Sequence, residues 1–176
     1  MTKLTFIVIS IFSLSLNADY KKKTHSHKHD HGAHVHGAGT LNIAFDQLNG
    51  KVEFKSSADS IIGFEHEAKT AKQKDQLRLN TEKFETKLPN MISFSNDLNC
   101  VWKKEKIEIQ RDSEEKNHSD FIATFNVTCA KTPINSTLKI NFFDFKKIKD
   151  LDITVLVDTV QKSAEYKGKP IIFQIK

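Results

Sequence analysis

From Leu41 to Val157, apolar residues recur at every second position in one run after another. The runs are Leu41, Ile43 and Phe45; Val52 and Phe54; Ile107 and Ile109; Phe121, Ala123, Phe125, Val127 and Cys129; Leu138, Ile140 and Phe142; and Leu151, Ile153, Val155 and Val157. Period two is the repeat of a pleated strand with one buried and one wet face, so this patterning commits most of the chain to half-buried β-strands. Phe173 and Ile175 suggest a last strand after Gly168 and Pro170. Asn49-Gly50 supplies a type I′ turn between the first two runs. With those two as loop residues, Phe45 falls opposite Phe54 and Leu41 opposite Ala58.

One segment breaks the alternation. Thr70-Ala71-Lys72-Gln73 is a capping-box pattern, and the residues after it are good helix formers. Leu77, Phe84 and Leu88 share one side of that helix, and Pro89 is expected to end it. A short turn of helix is expected near Phe143 to Lys147. The fold class that follows is α+β: a mostly antiparallel β-sheet domain with one substantial helix and one disulfide.

Residues 1–18 carry an early Lys3, an apolar core from Leu4 to Leu16 and then Asn17-Ala18, which reads as a secretory signal peptide cut after Ala18. The apolar run is shorter than the roughly twenty residues a span needs; an uncleaved N-terminal anchor is the alternative. The chain is thus expected to be exported, with no stable membrane insertion after signal cleavage. About 158 residues then remain of the 176, enough for one domain. Cys100 and Cys129 would meet oxidising surroundings and pair, closing a loop worth roughly 3 to 4 kcal/mol in the chain-entropy model. A Cys/His metal site is the weaker alternative, since neither belongs to a C-x-x-C pair. The formal charge of +5 combines 27 basic and 22 acidic side chains with both signs interspersed, a solvated surface and no nucleic-acid stripe.

Six histidines, His25, His27, His29, His31, His34 and His36, fall within a dozen residues. Imidazole is the commonest protein ligand for zinc and its first-row neighbours, so the tract reads as metal binding. Asp19 to Asp30 holds almost no large apolar residue and cannot offset the entropy of ordering. Residues 19–33 are therefore expected to form a flexible His-rich tail, and 34–176 a single α+β domain. His34 and His36 are two apart, and an extended backbone would put both on one face, opposite the core-facing Leu41 and Ile43 if that conformation persists through Gly37 and Gly39. Two weaker elements stand further on. His66 lies between Glu65 and Glu67 just before the helix cap, where a solvated loop histidine is the ordinary reading. His118 and Asp120 share the face opposite Phe121 and Phe125, where the carboxylate could ligate a metal or accept from an imidazole N–H.

Taken in order, His31-Gly32-Ala33-His34-Val35-His36-Gly37, then Thr40-Leu41-Asn42-Ile43-Ala44, Ile61-Ile62-Gly63-Phe64-Glu65-His66, Thr70-Ala71-Lys72-Gln73-Lys74 and His118-Ser119-Asp120-Phe121 ending at Cys129 resemble the ZrgA-like periplasmic zinc-binding proteins of Gram-negative bacteria. The resemblance spans nearly the whole mature chain. It departs at Glu67-Ala68 and in lacking the second His-rich loop of longer relatives. It implies that His34, His36, His66, His118, Glu65 and Asp120 converge near one edge of the sheet. Zinc takes about four N or O ligands, so His34, His36, His66 and His118 are the expected metal ligands, with Glu65 and Asp120 behind them or as alternative ligands. His25, His27, His29 and His31 would be a collecting arm.

The expected function is a periplasmic zinc-binding accessory protein, not an enzyme, that captures Zn²⁺ and supports zinc uptake or homeostasis. Its partners would be the zinc ion and a zinc uptake transporter or that transporter's binding protein, with no nucleic acid. One alternative is a metal-dependent hydrolase using Glu65 or Glu67 as base, although no H-E-x-x-H or other hydrolytic signature is present. Another is a copper- or nickel-binding buffer, since imidazole suits those metals too.

Overall fold

The computed structural model describes residues 37–111 and 118–176. The signal-peptide reading and the histidines from His25 to His36 lie outside these residues. The elements are β1 (Ala38–Asp46), β2 (Asn49–Ser57), α1 (Ala58–Ile61), α2 (Ala71–Met91), β3 (Ile92–Phe94), β4 (Val101–Arg111), β5 (Ser119–Thr128), β6 (Ser136–Ile140), β7 (Asp150–Val157), β8 (Val160–Tyr166) and β9 (Ile171–Ile175), with a 3₁₀ turn at Asn96–Leu98. Six strands form one sheet in the order β4-β5-β2-β1-β7-β8, and β3-β6-β9 form a second. Every pairing is antiparallel except β1 with β7. The α+β class, the substantial helix and the Cys100–Cys129 disulfide, with an S–S distance of 2.01 Å, are all present.

The alternation explains the layering. Leu41, Ile43, Val52, Phe54, Phe121, Phe125, Ile153 and Val155 are buried along the inner face of the large sheet, while their neighbours point outward. Helix α2 lays Phe84 on that face, with ring centroids 4.8 Å from Phe54 and 4.9 Å from Phe121. The small sheet covers the neighbouring area through Phe94, 5.2 Å from Phe45, and Phe142 stacks on Phe54 at 5.5 Å. Burying one such aromatic side chain contributes roughly 1.5 to 3 kcal/mol, so this phenylalanine cluster is where the helix and both sheets are joined.

Three local expectations are corrected. The β1–β2 turn is Gln47-Leu48, not Asn49-Gly50, and the register pairs Leu41 with Phe54 and Phe45 with Gly50. The shift is by an even number of residues, so the core face is unchanged. Gly50 is needed beneath the Phe45 ring, where a Cβ would lie 2.5 Å from Cε2, and Asp158 Oδ1 accepts from Gln47 N at 2.8 Å to hold the displaced turn. Helix α2 starts at its capping box as expected but runs past Pro89 to Met91. Proline there removes one hydrogen bond in the last turn, and the burial of Leu88 and Met91 keeps the turn helical. At Gly37, where the described residues begin, φ is +87° and the carbonyl accepts from Lys149 N and Asp150 N. The segment near Phe143 to Lys147 forms two successive turns, closed by Phe145 N to Phe142 O and Ile148 N to Phe145 O, instead of a helix.

Candidate metal centre

The candidate residues that the structure describes come from two places. One is the loop between α1 and α2, carrying Glu65 and His66. The other is the start of β5, carrying His118 and Asp120. Pairing of Ser57 with Asp120 sets the beginning of β5 beside the end of β2, which is where α1 departs. The chain leaving α1 at Ile61 therefore passes next to His118, although 53 positions separate Glu65 from it.

Ser119 Oγ donates to the Glu65 carbonyl at 2.6 Å. The Glu65 side chain, only 6% exposed, places Oε2 at 2.8 Å from Nδ1 of His118, whose side chain is 31% exposed. An ionised carboxylate accepts hydrogen bonds and donates none. A neutral imidazole with its proton on Nδ1 would turn that proton toward the carboxylate and ligate a metal through Nε2. A carboxylate behind an imidazole in this way fixes its tautomer and raises its basicity as a metal ligand.

His66 is exposed and stacks on Phe64, with ring centroids 4.8 Å apart and planes at 14°. Its Nδ1 lies 3.0 Å from the Glu67 carbonyl oxygen. A carbonyl can only accept, so Nδ1 is the donor in this hydrogen bond. For both described histidines, the tautomer that suits the oxygen beside Nδ1 is the one that ligates through Nε2.

Asp120 does lie on the outer face with His118, but its partner is Lys55 on β2, 2.9 Å away. It is Glu65 that meets the imidazole. Lys55, Ser119, Gln76 and Asn80, which shape this region, carried no sequence signal, since each matters only through a neighbour far along the chain.

Among the described residues, no three His, Cys, Asp or Glu side chains gather closely enough to hold a metal ion. His34 and His36, the remaining expected ligands, lie outside the described residues. Beneath the loop is a cavity of about 60 Å³ bordered by Phe64, His66, Ile109 and Ser119. Pockets for organic ligands run to roughly 300 Å³ or more, so this one does not admit an organic substrate. The disulfide lies beyond the opposite end of β5, about 36 Å along the strand from His118 at about 3.3 Å per residue, and its cysteines are no part of this centre.

No helix among the described residues is long and apolar enough to cross a membrane. A search of curated proteins finds no match. The profile described as ZrgA family zinc uptake protein matches residues 33–171, a span that takes in His34 and His36, both halves of the Glu65–His118 pair and the start of the final strand. The chain belongs to the ZrgA family of zinc uptake proteins.

Proposed function

We propose that the mature chain is a periplasmic zinc-binding accessory protein that captures zinc, its cargo, and supplies it to an uptake system. The observation that carries this reading is the Glu65–His118 pair, a carboxylate-backed imidazole between the α1–α2 loop and the start of β5. A four-ligand zinc site needs donors beyond those the described residues bring together. In this reading His34 and His36 supply them, joining His118 and His66 through their Nε2 atoms. Glu65 orients His118, and Asp120 stays with Lys55. The histidines from His25 to His31 raise the local zinc concentration. Zinc–imidazole bonds form on capture and break on delivery, and in this reading no substrate is transformed; the recipient is a zinc transporter or its binding protein.

Competitive zinc titration of mature protein carrying no engineered tag is the test, with His118→Ala, His66→Ala and His29→Ala compared. The expected result is a loss of at least about tenfold, or roughly 1.4 kcal/mol, for the first two and almost none for the third. Equal effects for all three would make the histidines an interchangeable cluster and overturn the assigned site.

A further inference from the structure

The loop from Ile62 to Glu67 has no regular hydrogen-bond ladder, yet it carries two side chains whose geometry matters. It is held at both ends by side chains from other elements. The Ile62 carbonyl accepts from Gln76 Nε2 at 2.8 Å and from Asn80 Nδ2 at 3.0 Å. These amides are four apart on α2 and so lie one turn apart on the same face. A carbonyl oxygen has two lone pairs, and both are used. Beyond it, Gly63 turns with φ +94° and donates its N–H to Asp59 O at 3.0 Å. A Cβ at Gly63 would lie 2.8 Å from Gln76 Nε2, so the clamp closes tightly over the turn. At the other end Ser119 Oγ grips the Glu65 carbonyl. Ser119 follows His118 directly, so one side chain holds the Glu65 backbone while the next residue meets its carboxylate.

We infer that Gln76 and Asn80, with Ser119 at the far end, are positioning residues for zinc capture, presetting Glu65 and His66 against His118 before the metal arrives. This rests on the proposed zinc site. Holding ligands in their bound arrangement removes ordering cost from the binding step. Because the two amides share one acceptor, the clamp is redundant: either alone keeps Ile62 O engaged, and only loss of both frees the loop. The effects should therefore be strongly non-additive.

The test uses the mature chain and Gln76→Met, Asn80→Leu, the double variant and Ser119→Ala, with His118→Ala as reference. Zinc affinity is read by chelator competition, and amide hydrogen exchange is read without zinc. Each single clamp variant should lose little. The double variant should bind zinc about tenfold more weakly, the scale of losing an outer support of a metal ligand, with faster exchange confined to residues 62–67. Restoring either amide should return most of the affinity. Ser119→Ala should weaken binding alone, having no redundant partner. Wild-type affinity in the double variant, with loss in His118→Ala, overturns the clamp and leaves the zinc site standing. Exchange that rises equally through β1 and β2 also overturns it, by showing general destabilisation. Wild-type affinity in His118→Ala overturns the zinc site and the clamp together.

Discussion

Glu65 Oε2 lies 2.8 Å from Nδ1 of His118, joining a loop that follows a one-turn helix to the mouth of a strand 53 residues later. The carboxylate is almost fully covered and the imidazole is partly open. The buried group can therefore orient the open one without competing with it for a ligand approaching from solvent.

Replacing Glu65 by Gln keeps the shape of the side chain and removes its charge. Zinc affinity is expected to fall by about 10- to 100-fold, as for other outer partners of metal-bound histidine. The melting temperature without zinc should change little. Isothermal titration beside thermal unfolding checks this, and unchanged affinity would mean that Glu65 does not support a metal-binding His118.

Deleting residues 19–31 should lower the number of zinc ions bound while one tight site survives. The tail histidines His25, His27, His29 and His31 are lost, but His34, His36, His66 and His118 are kept. Metal content after dialysis against a weak chelator measures both quantities. Complete loss of tight binding would move the site into the tail.

The disulfide bridges two positions directly beyond the paired Val101 and Thr128, at the end of the β4–β5 ladder. Its removal in the Cys100→Ser/Cys129→Ser double variant should cost roughly 3 to 4 kcal/mol of stability, with zinc affinity unaltered because the bridge sits at the opposite end of β5. Urea unfolding and zinc titration of the same sample separate the two effects.

Tyr166 is 2% exposed, with its ring 5.7 Å from Phe142. Burial pushes its phenol above the ordinary value of 10.0, against a smaller opposing effect of a hydrogen bond with the Phe142 backbone. The folded state favours the neutral phenol, so this contribution to stability is complete below about pH 10 and is lost as pH rises through the raised folded value. Tyr166→Phe should therefore show a shallower fall in stability above about pH 10 than the parent protein. Parallel denaturant curves at pH 8 and pH 11 read the difference, and identical slopes would contradict a buried phenol.

Much of the fold was legible in side-chain periodicity, because the pleat repeats every two residues and needs no partner to be recognised. Leu41, Phe54, Phe121 and Ile153 were assigned to a core-facing row and lie there. The capping box was equally local, for Thr70 and Gln73 satisfy each other's backbone groups at 3.0 and 3.2 Å. Strand β8 was not legible: its inward residues Val160, Lys162 and Ala164 are only half-buried on a sheet edge, so the hydrophobic contrast that marks a strand is weak. Strand β3 is three residues long, too short to show a period. The turn at Gln47-Leu48 depended on Phe45 covering Gly50 and on Asp158, more than a hundred residues away.

The candidate centre divides along the same line. Residue types and motif order were enough to single out Glu65, His66, His118 and Asp120, since the chemistry of imidazole and carboxylate is carried by each side chain wherever it stands. Which carboxylate meets which histidine was a matter of folding. Asp120, two residues from His118, is drawn to Lys55 on the adjacent strand, whereas Glu65 is brought to His118 by the path of the chain after α1 and the grip of Ser119. Strand pairing and loop closure act over distances that sequence separation does not report, because contacts between distant segments depend on the packing of everything between them.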